Sequence, residues 1–263
     1  MTDWAVTGWD DLSRELDAWA KSGHTAEFWW RDDDAVMVTP ALERLIEIQR
    51  RTNVGLALAV VPARADEDLA RRLQSEPHIA VVQHGWAHLN HAPPGRPKAE
   101  LGPDRLPAYV LGELGRGWLA LDRLFGPDWL KIVVPPHNRI ASRVIAGLGP
   151  AGYVGLSADK PRRETLQGLI QINTHIDIME WTTTRAFLGD GPCLAQAIAH
   201  LGAKRDGRAD PAEPTGLLTH HLAHDPPAWR FVERFLAHTA GHPAIHWGHP
   251  RQLFRRKTAV ISA

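Results

Sequence analysis

Two short stretches, Trp30-Arg31-Asp32-Asp33-Asp34 and Gln83-His84-Gly85-Trp86-Ala87-His88, organise this sequence. The first places three consecutive carboxylates directly after an apolar, aromatic run. The second places two imidazoles four residues apart after another apolar run. Adjacent carboxylates repel one another unless a cation lies among them. A divalent metal bound by one or two of the aspartates and both histidines is the simplest such cation, so the pattern favours a metal-dependent hydrolase.

The composition is that of an ordinary globular protein. Of 263 residues, 44% are hydrophobic and 23% are charged, which is enough for a sizeable core. The formal net charge is zero, so no basic field favours nucleic acid or an anionic membrane. The single cysteine, Cys193, excludes an intrachain disulfide and a cysteine-based zinc site.

The sequence predicts neither a secretory signal nor a membrane-spanning segment. No run approaches the ~18 apolar residues of a membrane span. The stretch Met1-Thr2-Asp3-Trp4 has neither the basic nor the apolar region of a secretory signal. We therefore expect a cytoplasmic protein that binds neither nucleic acid nor membrane, while the sequence leaves its oligomeric state open.

Buried apolar runs alternate with amphipathic segments along the whole chain. Strands are predicted at 27–31, 54–61, 79–83, 131–134, 153–156, 169–173, 217–219 and 244–247, and helices at 10–22, 40–51, 66–74, 107–125, 141–148, 191–203 and 228–239. Such alternation is typical of a parallel α/β sheet. The pattern predicts one domain over residues 1–263, an α/β fold with a distorted (β/α) barrel of about seven to eight strands.

Polar clusters follow five of the predicted strands. In a parallel barrel the active site lies at the carboxyl ends of the strands, so the clusters should converge on one mouth. They are Asp32–Asp34, His84 with His88, Pro135–Arg139, His175 with Asp177, and His220 with His221. Because a strand alternates its faces, at most two of the three aspartates can face that mouth if extended geometry persists.

Taken in chain order, these clusters resemble the five motifs of the NodB-type polysaccharide deacetylases, carbohydrate esterase family 4. The family's Thr-Phe-Asp-Asp-Gly motif is similar to residues 31–35, and its His-Ser/Thr-x-x-His motif is similar to residues 84–88. The resemblance implies a NodB-type barrel, a general base at Asp33 and one divalent metal on Asp34, His84 and His88. Zinc is the first choice of metal for such ligands, with cobalt, manganese, iron or nickel as alternatives.

The remaining three motifs supply the rest of the expected site. Arg-Pro-Pro-Tyr-Gly is similar to residues 134–138, Asp-x-Asp-x-x-Asp-Trp to residues 175–181, and Leu-x-His to residues 218–220. They imply a proton donor at His220 whose ring is oriented by Asp177. The residues expected to contact substrate or the oxyanion are Trp86, Pro136, His137, Asn138, Arg139 and Trp181.

Three positions depart from the family pattern. Ala35 stands where the first motif has glycine, Val134 where the third has arginine, and His175 where the fourth has its first aspartate. Arg31 and Arg139 are the candidates to replace the missing arginine, and spacing does not choose between them. His220 and His221 should face opposite sides of a strand, so only one can reach the metal centre; the family spacing selects His220.

Three functions fit this pattern. The first is hydrolytic removal of an acyl group, acetyl in the simplest case, from an N-acylated amino sugar or related amide, with a small molecule or oligosaccharide as substrate. The second is hydrolysis of a non-carbohydrate amide, as in purine-ring amidohydrolases, because a cytoplasmic enzyme cannot reach a cell-wall polymer. The third is a sugar-binding or regulatory module on a scaffold that has lost activity.

Overall fold

The computed structural model describes residues 7–162, 166 and 168–255; the stretch Met1–Trp4 lies outside them. The described helices are α1 Trp9–Lys21, α2 Pro40–Thr52, α3 Glu67–Leu73, α4 Pro107–Phe125, α5 Ser142–Leu148, α6 Asp190–Arg205, α7 Pro226–Ala240 and α8 Pro250–Leu253. The described strands are β1 Ala26–Ala35, β2 Leu56–Val60, β3 Ile79–His84, β4 Leu130–Val134, β5 Gly155–Leu156, β6 Ile170–Gln171, β7 Ile176–Asp177, β8 Thr215–Thr219 and β9 Ile245–Trp247. None of the described helices is both long and apolar enough to cross a membrane.

All nine described strands belong to one sheet, and the pairings between them are parallel. The strand order is β6-β5-β4-β3-β2-β1-β8-β7, and β9 pairs with the first residues of β1. The two end strands, β6 and β7, are joined by residues 172–175. Because such a link reaches at most about 17 Å, the sheet has to curl until its ends approach. The predicted distorted barrel is confirmed, with one more strand than the upper expectation.

Strand β1 runs through the middle of the sheet and separates two cores. Phe28 and Trp30 pack in the larger core, which the surrounding helices share with one face of the sheet. Trp29 packs on the other face, in a small core that lies inside the barrel. Alanines on the neighbouring strands leave space for its indole ring: Ala57, Ala59 and Ala80. This alternation directs Arg31 and Asp33 to the barrel interior and Asp32 to the helical layer.

The connection from β1 to α2 ends in a well-defined helix start. The Thr39 side chain accepts the Leu42 N–H at 3.1 Å, and Pro40 occupies the first helical position, where its missing N–H costs nothing. Asn53 in the left-handed conformation ends the helix. The loop that leaves the carboxyl end of β1 is therefore fixed where it enters the first turn of α2.

The barrel is least regular at the seam between β6 and β7. The sequence predicted one strand over residues 169–173, whereas the structure has two separate two-residue strands at 170–171 and 176–177. Side chains replace ladder bonds here: Asn173 Oδ1 accepts the Ala158 N–H, and Glu213 Oε1 accepts the Asn173 N–H. Helix α8 and strand β7 were not predicted.

Candidate active site

Asp33 and Asp34 lie side by side at the carboxyl end of β1. Asp34 has a left-handed backbone with a φ of 74°, which breaks the alternation of the strand. Both carboxylates consequently face the mouth, while Asp32 points to the opposite side and is completely buried. The register that makes Asp33 and Asp34 the functional pair agrees with this geometry.

The three expected metal ligands converge. The Nε2 atoms of His84 and His88 each lie 3.1 Å from Asp34 Oδ1, and the three ligand atoms lie within 4.8 Å of one another. Ligand atoms bound to one tetrahedral zinc ion lie about 3.4 Å apart. The His84 Nδ1–H donates to the Val134 carbonyl at 3.1 Å, which leaves the Nε2 lone pair available for a metal. The donor set and its spacing fit one divalent ion.

The electrostatics of this group also suit a cation. Burial opposes ionisation of Asp34, but the hydrogen bond and charge of His84 and the charges of His220 and His88 outweigh it, so its pKa lies below the ordinary value. Burial, followed by the nearby His84, lowers the pKa of His88. Asp34 is thus an anion near neutral pH and His88 is a neutral imidazole, the forms that bind metal.

Arg31 holds Asp33 from within the barrel. Its Nε and Nη2 donate to the two carboxylate oxygens of Asp33 at 2.9 and 3.0 Å, a bidentate pair in which both side chains are almost completely buried. The same guanidinium donates to Ser157 Oγ at 2.6 Å and to Asn138 Oδ1 at 2.7 Å. Arg31 therefore ties β1 to the loops that follow β4 and β5.

Arg139 does not contact the base. Its guanidinium is exposed and donates to the Lys98 carbonyl at 3.1 Å and to the His137 carbonyl at 3.4 Å. The arginine that steadies Asp33 is therefore Arg31, two residues before the base on the same strand. Strand alternation puts Arg31 and Asp33 on one face of β1, but sequence spacing could not show that the Arg139 side chain lies away from the base.

His220 reaches the same mouth from β8. Its Nε2 lies 4.0 Å from Asp33 Oδ2, and its ring meets the Trp181 ring edge-to-face with centroids 4.5 Å apart. The expected hydrogen bond from this ring to Asp177 is absent among the described contacts, and His220 Nδ1 is buried without a partner. Asp177 instead accepts the Trp181 indole N–H at 2.8 Å and the Met179 amide at 3.0 Å. Trp181 thus contacts both Asp177 and His220, and burial raises the Asp177 pKa.

His221 faces the other way and pairs with Asp32. Its Nδ1 lies 2.5 Å from Asp32 Oδ1, its amide donates to Asp32 Oδ2 at 3.0 Å, and both side chains are completely buried. Thr219 donates to the same carboxylate at 2.6 Å. Asp32 therefore holds the residues on either side of His220, and His221 lies outside the mouth.

Solved structures identify the architecture, whereas no family sequence model and no curated protein matches the chain. A structure assigned as a polysaccharide deacetylase from Mycobacterium smegmatis matches with a TM-score of 0.63 at 17% identity, over 88% of this chain and 90% of that chain. The chain has the polysaccharide-deacetylase fold.

Two further structures with this fold carry information about its chemistry. A family 4 acetyl xylan esterase from Clostridium thermocellum, in complex with a cobalt ion, matches with a TM-score of 0.51 at 12% identity, over 87% of this chain and 90% of that chain. A mutant of a CE4 family pseudoenzyme with restored activity matches with a TM-score of 0.57 at 12% identity, over 88% of this chain and 68% of that chain. At such identities the likeness establishes the polysaccharide-deacetylase fold and leaves function to the residues of the site.

The turn after β4 contains the third of the five polar clusters expected from the sequence. Pro136 is buried, while His137 and Asn138 both have left-handed backbones. The His137 ring packs against the His88 ring with centroids 4.6 Å apart, and burial, together with nearby His88, His84 and Lys98, lowers the His137 pKa to about 4. The amides of Asn138 and Arg139 already donate to Pro135 and Pro136, so His137 carries the amide expected to face an oxyanion.

Trp86 is placed differently from Trp181. The Arg116 guanidinium of α4 lies 4.9 Å from the centroid of its ring, and the Trp86 amide donates to Glu100 Oε2 at 3.2 Å. Trp86 is therefore anchored to the long helix, whereas Trp181 contacts His220 directly. Glu100 was missed by the sequence reasoning, because an acidic residue in a proline-rich loop carries no signal of burial.

Backbone strain is concentrated in this mouth. Seven non-glycine residues of the described part have a positive φ, and four of them are site residues: Asp34, His88, His137 and Asn138. Left-handed backbone is unfavourable for most side chains and persists where the surrounding structure enforces it. The clustering indicates that this region of the polysaccharide-deacetylase fold is shaped for a specific geometry.

A second group, His175, His200 and Glu213, also has ligand atoms within 4.8 Å of one another. His175 Nδ1 accepts the Gly216 N–H at 3.0 Å, and burial lowers the His175 pKa. The neutral ring therefore carries its proton on Nε2, which faces Glu213 at 3.6 Å and would have to bind the ion. The two histidine rings stack at 3.5 Å. This group is a buried polar cluster beside α6. His175 was expected to join the mouth, but it lies in this cluster instead.

Proposed function

We propose that the chain is a metal-dependent hydrolase that removes an acyl group, acetyl in the simplest case, from an N-acylated amino sugar or a related amide. One observation carries the proposal: Asp34, His84 and His88 converge beside Asp33, whose carboxylate lies 4.0 Å from His220. Ligands, base and acid for amide hydrolysis thus lie around one point. Because all five of these side chains are present, the proposal favours an active enzyme over a binding module without activity.

The residues would divide the reaction among them. A bound divalent metal supplies Lewis-acid activation of water and of the scissile carbonyl. Asp33, fixed by Arg31 in a bidentate pair, would take the proton of the attacking water. His220 would deliver a proton to the leaving amine, with Trp181 covering one face of the site beside it. The amide of His137 would donate to the developing oxyanion.

A non-carbohydrate amide is the second candidate substrate. Exposed aliphatic side chains stand next to site residues along the chain: Met37 follows Asp34 by three residues, Leu89 follows His88 directly, and Leu222 follows His220 by two. Apolar side chains at the mouth would favour a substrate with an apolar group beside the scissile bond. An acetylated chitooligosaccharide and an N-acetyl arylamine therefore form the two arms of a substrate test.

The purified protein is expected to contain about one equivalent of a divalent metal and to lose turnover when a chelator removes it. Added zinc or cobalt should restore turnover, because His84, His88 and Asp34 are the ligands that both ions accept. Metal analysis and acetate release on the two substrates measure these effects. Turnover that survives complete metal removal would contradict the proposal, and metal binding without turnover on any amide would favour a binding module.

A further inference from the structure

Glu100 is completely buried beneath the turn that carries the two histidine ligands. Its Oε1 accepts the Ala87 N–H at 2.8 Å, and its Oε2 accepts the Trp86 N–H at 3.2 Å. These amides belong to the residues between His84 and His88. The carboxylate comes from the long loop before α4 and so holds the metal-binding turn from below.

The turn is built to receive this carboxylate. Gly85 has a left-handed φ of 57°, and a Cβ there would overlap Glu100 Oε2 and lie 2.6 Å from Pro136 Cδ. Any side chain at position 85 would therefore displace Glu100 or Pro136. The space that the family's Ser/Thr would need in this motif is taken here by the Glu100 carboxylate.

Among the described residues, no basic side chain forms a salt bridge with Glu100. In the described part of the chain its hydrogen bonds come from two backbone amides, and its charge also acts on Arg105. Arg105, however, donates to Glu113 at 2.6 Å. A buried carboxylate is costly without a compensating cation. A metal ion on the adjacent histidines would supply that compensation.

We propose that Glu100 is a positioning residue for metal binding. It fixes the amides of Trp86 and Ala87, places His88 at the correct distance from His84, and favours a cation on these ligands. The inference rests on the proposed metal site. It does not require that the site turn over any particular substrate.

Metal affinity tests the proposal directly. Zinc dissociation constants are measured by chelator competition for the wild type and for Glu100→Gln, which keeps the size of the side chain but loses its charge and one amide contact. The expected result is an affinity about 10- to 100-fold weaker. Glu113→Gln is the matched control, since it breaks a neighbouring ion pair without touching the turn, and it should bind zinc as the wild type does.

Circular dichroism of the metal-free proteins separates unfolding from lost affinity. If Glu100→Gln does not fold, Glu100→Asp replaces it; this variant keeps the charge but cannot span both amides, and its affinity should also fall. Wild-type affinity in a folded Glu100 variant, or an equal loss in Glu113→Gln, would overturn the inference. Absence of zinc binding in the wild type would instead contradict the proposed metal site itself. Failure of the Glu100 inference and failure of the proposed function can therefore be told apart.

Discussion

Replacing His220 by alanine is expected to lower kcat by about 100- to 10,000-fold while the metal content stays at the wild-type level. The ring lies beside Asp33 and Trp181 at the mouth, but its nitrogens are not among the three convergent ligand atoms. Loss of the proton donor should therefore affect the chemical step and leave metal binding intact. Steady-state kinetics and metal analysis of the same preparation measure the two quantities.

The neighbouring His221 provides the internal comparison. His221→Ala leaves the fully buried Asp32 without its closest partner, so the expected effect is a loss of stability of about 3–5 kcal/mol. Chemical denaturation measures this loss, and kcat per folded molecule should change far less than in His220→Ala. The assignment of the acid would be reversed if His221→Ala abolished turnover in a folded protein while His220→Ala retained it.

Arg31→Met is expected to reduce both kcat and stability, because it leaves the carboxylate of Asp33 buried without its bidentate partner. Removing one partner of such a pair costs about 3–5 kcal/mol. Arg31 also bridges Ser157 and Asn138, so its loss should loosen the loops after β4 and β5 around the base. Thermal unfolding and kcat are the measurements.

Two further substitutions sharpen this test. Arg31→Lys keeps the positive charge but loses the planar fork, and its kcat should lie between those of the wild type and Arg31→Met. Arg139→Ala removes an exposed guanidinium bonded only to carbonyls in the described contacts, and it should leave kcat within about 2-fold of the wild type. A larger loss of kcat in Arg139→Ala than in Arg31→Met would show that the steadying arginine has been misassigned.

Local patterns predicted most of the fold because they are strong along this chain. Helix α4 was predicted at its observed bounds, and α2 within one residue, since both combine an apolar stripe with proline at the first position. The seam between β6 and β7 was not predictable in the same way. Its strands are cut short by bonds from Asn173 and from Glu213, forty residues away, and no local periodicity encodes such contacts.

In the candidate site, too, local sequence patterns predicted some features and not others. The convergence of Asp34, His84 and His88 could be predicted, because their spacing places the two histidines on one turn and the motif resemblance selects Asp34 at a strand end. The side chains that hold those residues in place could not be predicted. Arg31 and Asp33 lie only two residues apart and Asp177 and Trp181 only four, but spacing does not show which of its neighbours a side chain bonds, and Glu100 reaches the turn from a separate loop.

The left-handed residue at the end of β1 has a mechanical consequence. Asp33 and Asp34 share one peptide bond, so the distance between their Cα atoms is fixed at about 3.8 Å and does not change when loops open or close. His220 belongs to another strand, and its separation from Asp33 depends on how β8 lies against β1. A shift of β8 against β1 would therefore change the distance from His220 to Asp33 and leave the backbone spacing of Asp33 and Asp34 unchanged.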